Sequence, residues 1–543
     1  MKNICHSRKE PRVFLHIVLG SILLSGLLVR LYGINFGLPF LYNPDEYAFV
    51  NPALHILKTF DFNPHWFGHP GTTTIYLLVF LYGLIYVGGL GLGVFSKPDD
   101  FAVLINGDPT IIYLSGRLLF ALVGVATILV VYFIACRMYN KRTGLIAAAF
   151  LSFSPLHVLF SKLIRTDILM TFFLLVTFLF CLRILEKRAW SDYLAAGLIT
   201  GFAVATKYPA VVIILVIVTA HILSAPSQWA HLLKLSASGL ACLLGTFLAS
   251  PFLFLDFETT WRNVMGEARP THLSATGSGF FHDLAWYICN ALCDALSPAG
   301  LILAGIGIFL CLLSMRRDKW LLMIFPFFFL LFISALSLRW SRWVIPVVPF
   351  LCVFAAHTLY RISDWVGRHS TPVLGVLVSV GLTVGFVTPL VKADLVQGRE
   401  LSNKDTRTLA REWILDNIPT GSRILVEKYT PHLPKERYVF LQAKNGYPAE
   451  VDTSKIHKSV FTPGFTKLGT LKDPQKVMEK NVQYMVLSNW YERFLAEEDE
   501  HSKIVAANYE TLMSMATKIY EVRSTPGENS GPTIRIYRFG TAR

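Results

Sequence analysis

Uninterrupted apolar runs of near-bilayer length, such as 13–31, 111–135, 168–185, 286–313 and 372–391, are the feature that most limits what this chain can become. About 20 consecutive apolar residues make a helix long enough to cross the hydrocarbon core of a bilayer. With 53% hydrophobic residues, 16% charged residues and a mean hydropathy of +0.49, the chain is too apolar for a water-soluble globule. The expected fold class is an α-helical polytopic membrane protein.

The net charge of +14 does not point to nucleic acid, because the basic residues fall in short clusters between apolar segments, at 137–142, 186–188, 316–319 and 361–368. Such clusters stay in the cytoplasm. Lys2, Arg8, Lys9 and Arg12 place the N-terminus there too, and the run after them reads as a signal anchor without a cleavage site. Spans at about 13–31, 111–135, 143–160, 168–185, 190–206, 209–224, 234–255, 286–313, 320–337, 343–361 and 372–391 make eleven. An odd number leaves the C-terminus outside. The apolar stretch 72–95 breaks this parity if it crosses, so it reads as an excursion with both ends outside, or as a crossing paired with a return through 101–105. The alternative is one more full span.

Beyond residue 394 the pattern becomes charged and mixed, which divides the chain into a membrane domain, 1–394, and an outer soluble α/β domain, 395–543. There the spacing of Leu409, Trp413 and Ile414 predicts a helix over 406–417 closed by Pro419 and Gly421. Short strands are expected at 423–427, 484–488, 519–523 and 533–537. Eight scattered cysteines give no disulfide framework.

Chemistry concentrates in the outer loop after the first span. Asp45 and Glu46 stand side by side at a membrane boundary, where an ionised carboxylate is costly unless paired or wetted. Tyr47, His65 and His69 follow within the loop. Asn43, Pro44 and Glu46 also suit a helix start, a reading that accounts for Glu46 better than for Asp45. Asp167 forms a second acidic point on the same face, preceded by Lys162 and Arg165. Together with Lys207, Arg339 and Arg342, those cations suit a lipid phosphate headgroup. Local ion pairs or interfacial anchoring are the plainer explanations. Asp45, Glu46, His65 and His69 include ligand types for a divalent metal, without HExxH or CxxC spacing to support one. Walker and Rossmann fingerprints are absent, which argues against a soluble nucleotide donor.

The acidic pair after the first span, His69-Pro70, Arg165-x-Asp167, Thr206-Lys207-Tyr208 and the Arg342-x-x-x-Pro346-x-x-Pro349 segment resemble, in that order, the GT-C glycosyltransferases. The similar branches are the protein O-mannosyltransferase-like enzymes (glycosyltransferase family 39-like) and the lipid A aminoarabinose transferases, over roughly residues 13–360. The resemblance implies a GT-C fold of about 11–13 transmembrane helices. It also implies transfer of a sugar from undecaprenyl or dolichyl phosphate to a lipid, glycan or protein acceptor on the outer, periplasmic face of a bacterial inner membrane. By position, Asp45 would be the catalytic carboxylate, Glu46 its neighbour and Asp167 the second acid. His69-Pro70 continues here as Gly71 where many relatives carry a second proline, and 72–110 is long, so the acceptor pocket is where this chain departs.

A phosphate leaving group and a single base favour direct displacement with inversion, with no obligatory metal. A transporter of lipid-linked sugars, the competing reading, would instead carry charges near the bilayer midplane and show internal repeats.

Overall fold

A computed structural model describes residues 12–68, 71–224, 229–267, 275–314, 316–451, 467–495, 497 and 499–540. His69 and Pro70, and the N-terminal Lys2, Arg8 and Lys9, lie outside the described residues. The helices that organise the first half are α1 (Arg12–Leu31), α2 (Pro44–Thr59), α3 (Thr72–Gly91), α4 (Pro98–Gly107), α5 (Thr110–Met138), α6 (Lys141–Ser152), α7 (Pro155–Ser161), α8 (Thr166–Lys187) and α9 (Trp190–Thr206). The next are α10 (Ile214–Leu223), α11 (Trp229–Ala249), α12 (Phe252–Leu255), α13 (Phe257–Glu267), α14 (Phe280–Trp286), α15 (Leu292–Leu313), α16 (Arg317–Ser334), α17 (Val348–His369) and α18 (Pro372–Ser402).

Among the described residues seven helical stretches are long and apolar enough to cross a membrane, or eight if the pair α6 and α7, bent by 64°, counts as one. This is fewer than the eleven expected. One of the seven, 72–91, was not among the eleven, and of the eleven the segments 190–206, 209–224, 320–337 and 343–361 are missing. Each of these contains a helix, but α9 has 17 residues, α10 follows a 3-10 turn, and α16 opens on Arg317-Asp318-Lys319. In α17 the run Val348–Leu359 is buried throughout. A helix enclosed by others does not need a lipid-facing run of full length.

Contacts divide the chain into two units. The first holds residues 1–32, 45–84 and 115–395; the second gathers 33–44 and 85–114 with 396–543.

In the first unit the basic clusters meet at one end of the bundle. Arg137 pairs with Glu186 at 2.6 Å, Lys319 sits over the Tyr139 ring, and Arg142 lines a cavity with Asp364 and Arg368. Helices α9 and α11 run parallel in close contact, because Gly197, Gly201 and Gly245 leave room only for the partner backbone.

The stretch 72–91 is one continuous helix, long and apolar enough to cross a membrane. At its start Gly71 N–H donates to the Thr206 carbonyl at the end of α9, and Thr72 bonds Ser250 just beyond α11. Ten residues later Tyr82 packs beside Gly116, near the start of α5, and Ile164, just before α8. Ten helical residues advance about 15 Å. All of these partners lie at or near helix termini, at the end of the bundle opposite the basic clusters.

The second unit carries a six-stranded sheet of β1 (Arg423–Val426), β2 (Val439–Lys444), β3 (Tyr447–Glu450), β4 (Tyr484–Ser488), β5 (Ala516–Val522) and β6 (Ile534–Phe539), in the order β3-β2-β1-β4-β6-β5. β1 is parallel to both β2 and β4, and the other pairs are antiparallel. Helix α19 (Thr406–Asn417), capped by Asp405, lays Ala410 and Ile414 on one face of the sheet. The hairpin β2–β3 was not among the expected strands. Its Asn445-Gly446 turn, with both residues at positive φ, is the signal that could have found it.

Candidate active site

Two helix starts bring the acids together. Asp45 is in the first turn of α2 and Asp167 in the first turn of α8, where carboxylates complement the exposed N–H groups of the helix. Arg165, in extended backbone just before α8, contacts Asp45 through Nη1 and approaches Asp167 with Nε at 3.5 Å. Lys207, the residue after α9, donates to Asp167 Oδ1 at 2.7 Å. Asp167 is 1% exposed, whereas the Asp45 side chain is 54% exposed. One acid is therefore enclosed by cations and the other faces outward.

Arg342, on the 3-10 turn Ser341–Val344, stacks 4.2 Å over the Trp340 ring, within electrostatic reach of Arg165, Asp167 and Asp45. Its Nε is buried and finds no hydrogen-bond partner among the described residues. A buried donor left unmade costs roughly 1–3 kcal/mol. Two carboxylates and three cations leave this group one positive charge in excess.

Glu46 has another task. Fully buried, it takes a bidentate pair from Arg117 of α5 at 2.9 and 2.6 Å and a third bond from the Ile164 N–H at 3.1 Å. It anchors α2 to α5 and to the start of α8. Arg117 was missed by sequence reasoning, although a lone arginine early in a long apolar helix is a signal that a partner must exist.

Three expected participants lie elsewhere. Lys162 donates to the Tyr32 carbonyl at 2.8 Å and shares its buried surroundings with Arg30 and Asp394 rather than with Asp167. Arg339 pairs with Asp283 at 3.0 Å and stacks on Trp286. His65 bonds Asp61 at 2.8 Å in a turn whose Asn63 is tied to Asp256. Tyr47 is exposed on α2, and His69 is outside the described residues.

The arrangement leaves Glu46 no oxygen free of a protein donor. Arg117 and Ile164 engage both Glu46 oxygens, Arg165 contacts Asp45, and no three His, Cys, Asp or Glu side chains gather among the described residues.

Residues 111–254 match the sequence family described as dolichyl-phosphate-mannose-protein mannosyltransferase. No curated protein sequence matches. Among solved structures, the chain is similar to the archaeal oligosaccharyltransferase AglB from Archaeoglobus fulgidus, in complex with an inhibitory peptide and a dolichol-phosphate. That match has 14% identity and a TM-score of 0.54, over 98% of this chain and 74% of that one. It is also similar to ArnT from Cupriavidus metallidurans in the apo state, with 13% identity and a TM-score of 0.54 over 97% of this chain and 98% of that one. ArnT bound to undecaprenyl phosphate matches over the same shares, with 13% identity and a TM-score of 0.52. The chain is an integral membrane protein with the GT-C fold that these membrane glycosyltransferases share, followed by a small sheet-containing domain.

Proposed function

We propose that the protein transfers a sugar from a polyprenyl-phosphate donor to an acceptor hydroxyl at the outer membrane face, with Asp45 as general base. The observation that carries this reading is the buried Nε of Arg342, without a partner among the described residues and beside Arg165 and Lys207, in a group with one excess positive charge. A phosphate supplies the missing acceptor and the missing negative charge. Complexes of ArnT with undecaprenyl phosphate and of AglB with dolichol-phosphate support a lipid phosphate on this fold.

In the reaction the acceptor oxygen forms a bond to the anomeric carbon as the bond from that carbon to the phosphate oxygen breaks. The hydroxyl proton passes to Asp45, and the polyprenyl phosphate leaves with the electron pair. Arg165, Lys207 and Arg342 stabilise the charge that grows on the phosphate. Asp167, already paired twice, orients Arg165 and Lys207 and is no free base. Single displacement inverts the anomeric centre. On this reading the active site and the C-terminal domain lie outside the cytoplasm with the N-terminus inside, and the reaction needs no metal.

The test is transfer of labelled sugar from synthetic polyprenyl-phosphate sugars in reconstituted vesicles, with and without EDTA. Transfer should invert configuration, survive chelation and collapse in folded Asp45→Asn. Loss on chelation or retained configuration overturns the mechanism; labelled lipid crossing the bilayer without sugar transfer would favour a transporter.

A further inference from the structure

The segment 33–44, which leads from α1 into the acidic loop, belongs to the second unit. Its own backbone bonds are two turn bonds, from Phe36 N–H to the Gly33 carbonyl and from Leu38 N–H to the Asn35 carbonyl, and Gly33, Gly37 and Leu41 have positive φ, a region that the Leu41 side chain, at 55°, disfavours. The C-terminal part of the same unit grips it. The Arg407 guanidinium lies 4.0 Å from the Tyr42 ring centroid, and its Nη1 donates to the Tyr42 carbonyl at 3.1 Å. The Tyr42 hydroxyl bonds Thr408 Oγ1 at 2.9 Å, and Arg411 stacks over Phe40.

His432 closes the far side, edge-on to Tyr42 with centroids 5.6 Å apart. Burial, with Arg407 and Arg411 alongside, lowers its imidazole to about 3, so the ring is a neutral aromatic wall. Asp405, the cap of α19, holds Arg407 in place through two bonds of 2.8 Å.

Asp45 follows Tyr42 after only Asn43 and Pro44. Three residues reach at most about 10 Å, and proline fixes one of the torsions between, so an anchor at Tyr42 leaves the carboxylate little freedom. We infer that Tyr42 and Arg407 are positioning residues for Asp45: the C-terminal domain serves the reaction by fixing the chain that presents the base. This rests on the reading of Asp45 given above. It gives the domain a task in the chemical step itself, separate from any capture of acceptor.

The experiment uses the full-length protein in lipid nanodiscs, with steady-state kinetics and hydrogen exchange on peptides covering 33–44 and 45–50. Arg407→Gln should lower kcat at least tenfold, on the order of the hundredfold that a 1 Å misplacement costs, with donor KM unchanged. Exchange should quicken over both peptides. Tyr42→Phe, which keeps the ring under Arg407, should stay within a few-fold of the parent, and Tyr42→Ala should behave like Arg407→Gln. Unchanged kcat and unchanged exchange over 45–50 in Arg407→Gln would overturn the proposal, as would a loss that falls on KM alone. If Arg407→Gln unfolds the domain, Tyr42→Ala decides by the same readouts. Should Asp45→Asn prove fully active, the catalytic reading falls, while exchange over 45–50 still judges the anchor.

Discussion

The guanidinium of Arg165 contacts the carboxylate of Asp45 across 120 residues of chain, and the same side chain approaches Asp167 two residues further on. One arginine thus joins the outward-facing acid to the enclosed one. The two acids should therefore respond differently to the same substitution.

Asp45→Asn removes the base and keeps its shape, so kcat should fall by roughly 10²–10⁴ with donor binding retained. Asp167→Asn loosens the orientation of Arg165 and Lys207, which Asp167 holds at 3.5 and 2.7 Å, so the loss should appear first in donor affinity. Equilibrium binding of a non-transferable donor analogue, measured beside kcat, separates the two. Equal effects of both variants on both quantities would contradict the division of labour.

The Glu46–Arg117 pair is fully buried on both sides. Removing one partner strands a charge, at a cost of about 3–5 kcal/mol, whereas replacing both with neutral residues of similar size is far milder. Glu46→Gln and Arg117→Met should each lower the melting temperature in detergent strongly, and the double variant should recover much of the loss. Additive losses in the double variant would show that the pair does not act as a unit.

Gly201 leaves no space for a side chain against Cys242 and Thr246 of α11. Gly201→Val should separate α9 from α11 at about 1–3 kcal/mol or more and shift Lys207, which follows α9 directly. Reduced thermal stability together with weakened donor binding is the expected pair of results. Wild-type values for both would show that the helices can part without disturbing the site.

In the C-terminal domain burial pushes the Glu427 carboxyl up to about 7, although Tyr509 and Ser488 donate to it. The folded state thus holds a proton that the unfolded state releases near pH 4.5. Stability from this group is fully present below that value and declines as pH rises to about 7, by about 3 kcal/mol in all. Hydrogen exchange of the β1 and β4 amides should therefore show more protection at pH 5 than at pH 8, after correction for intrinsic rates. In Glu427→Gln that difference should shrink. A parent protein that gains protection with rising pH would reverse the sign and exclude the mechanism.

The sequence by itself determined the solvent. Runs such as 111–135 and 168–185 cannot be left in water, and the basic clusters between them mark one end of the bundle, where Arg137 and Glu186 do meet. It also marked Asp45, Arg165, Asp167 and Lys207, because charge beside a bilayer needs a reason. Helix 406–417 and four strands of the sheet were legible from local periodicity, and the Asn445-Gly446 hairpin was there to be read as well. Only the tertiary structure decided which charge serves which partner. Glu46 and Asp45 are adjacent in the chain, yet one is buried against Arg117 and the other is half exposed beside Arg165. Lys162 and Arg339 looked like members of the cation group until their own partners appeared at Tyr32 and Asp283. The physical reason is range: hydropathy and propensity act along the chain, while ion pairing is settled by whichever opposite charge packing brings within a few ångströms.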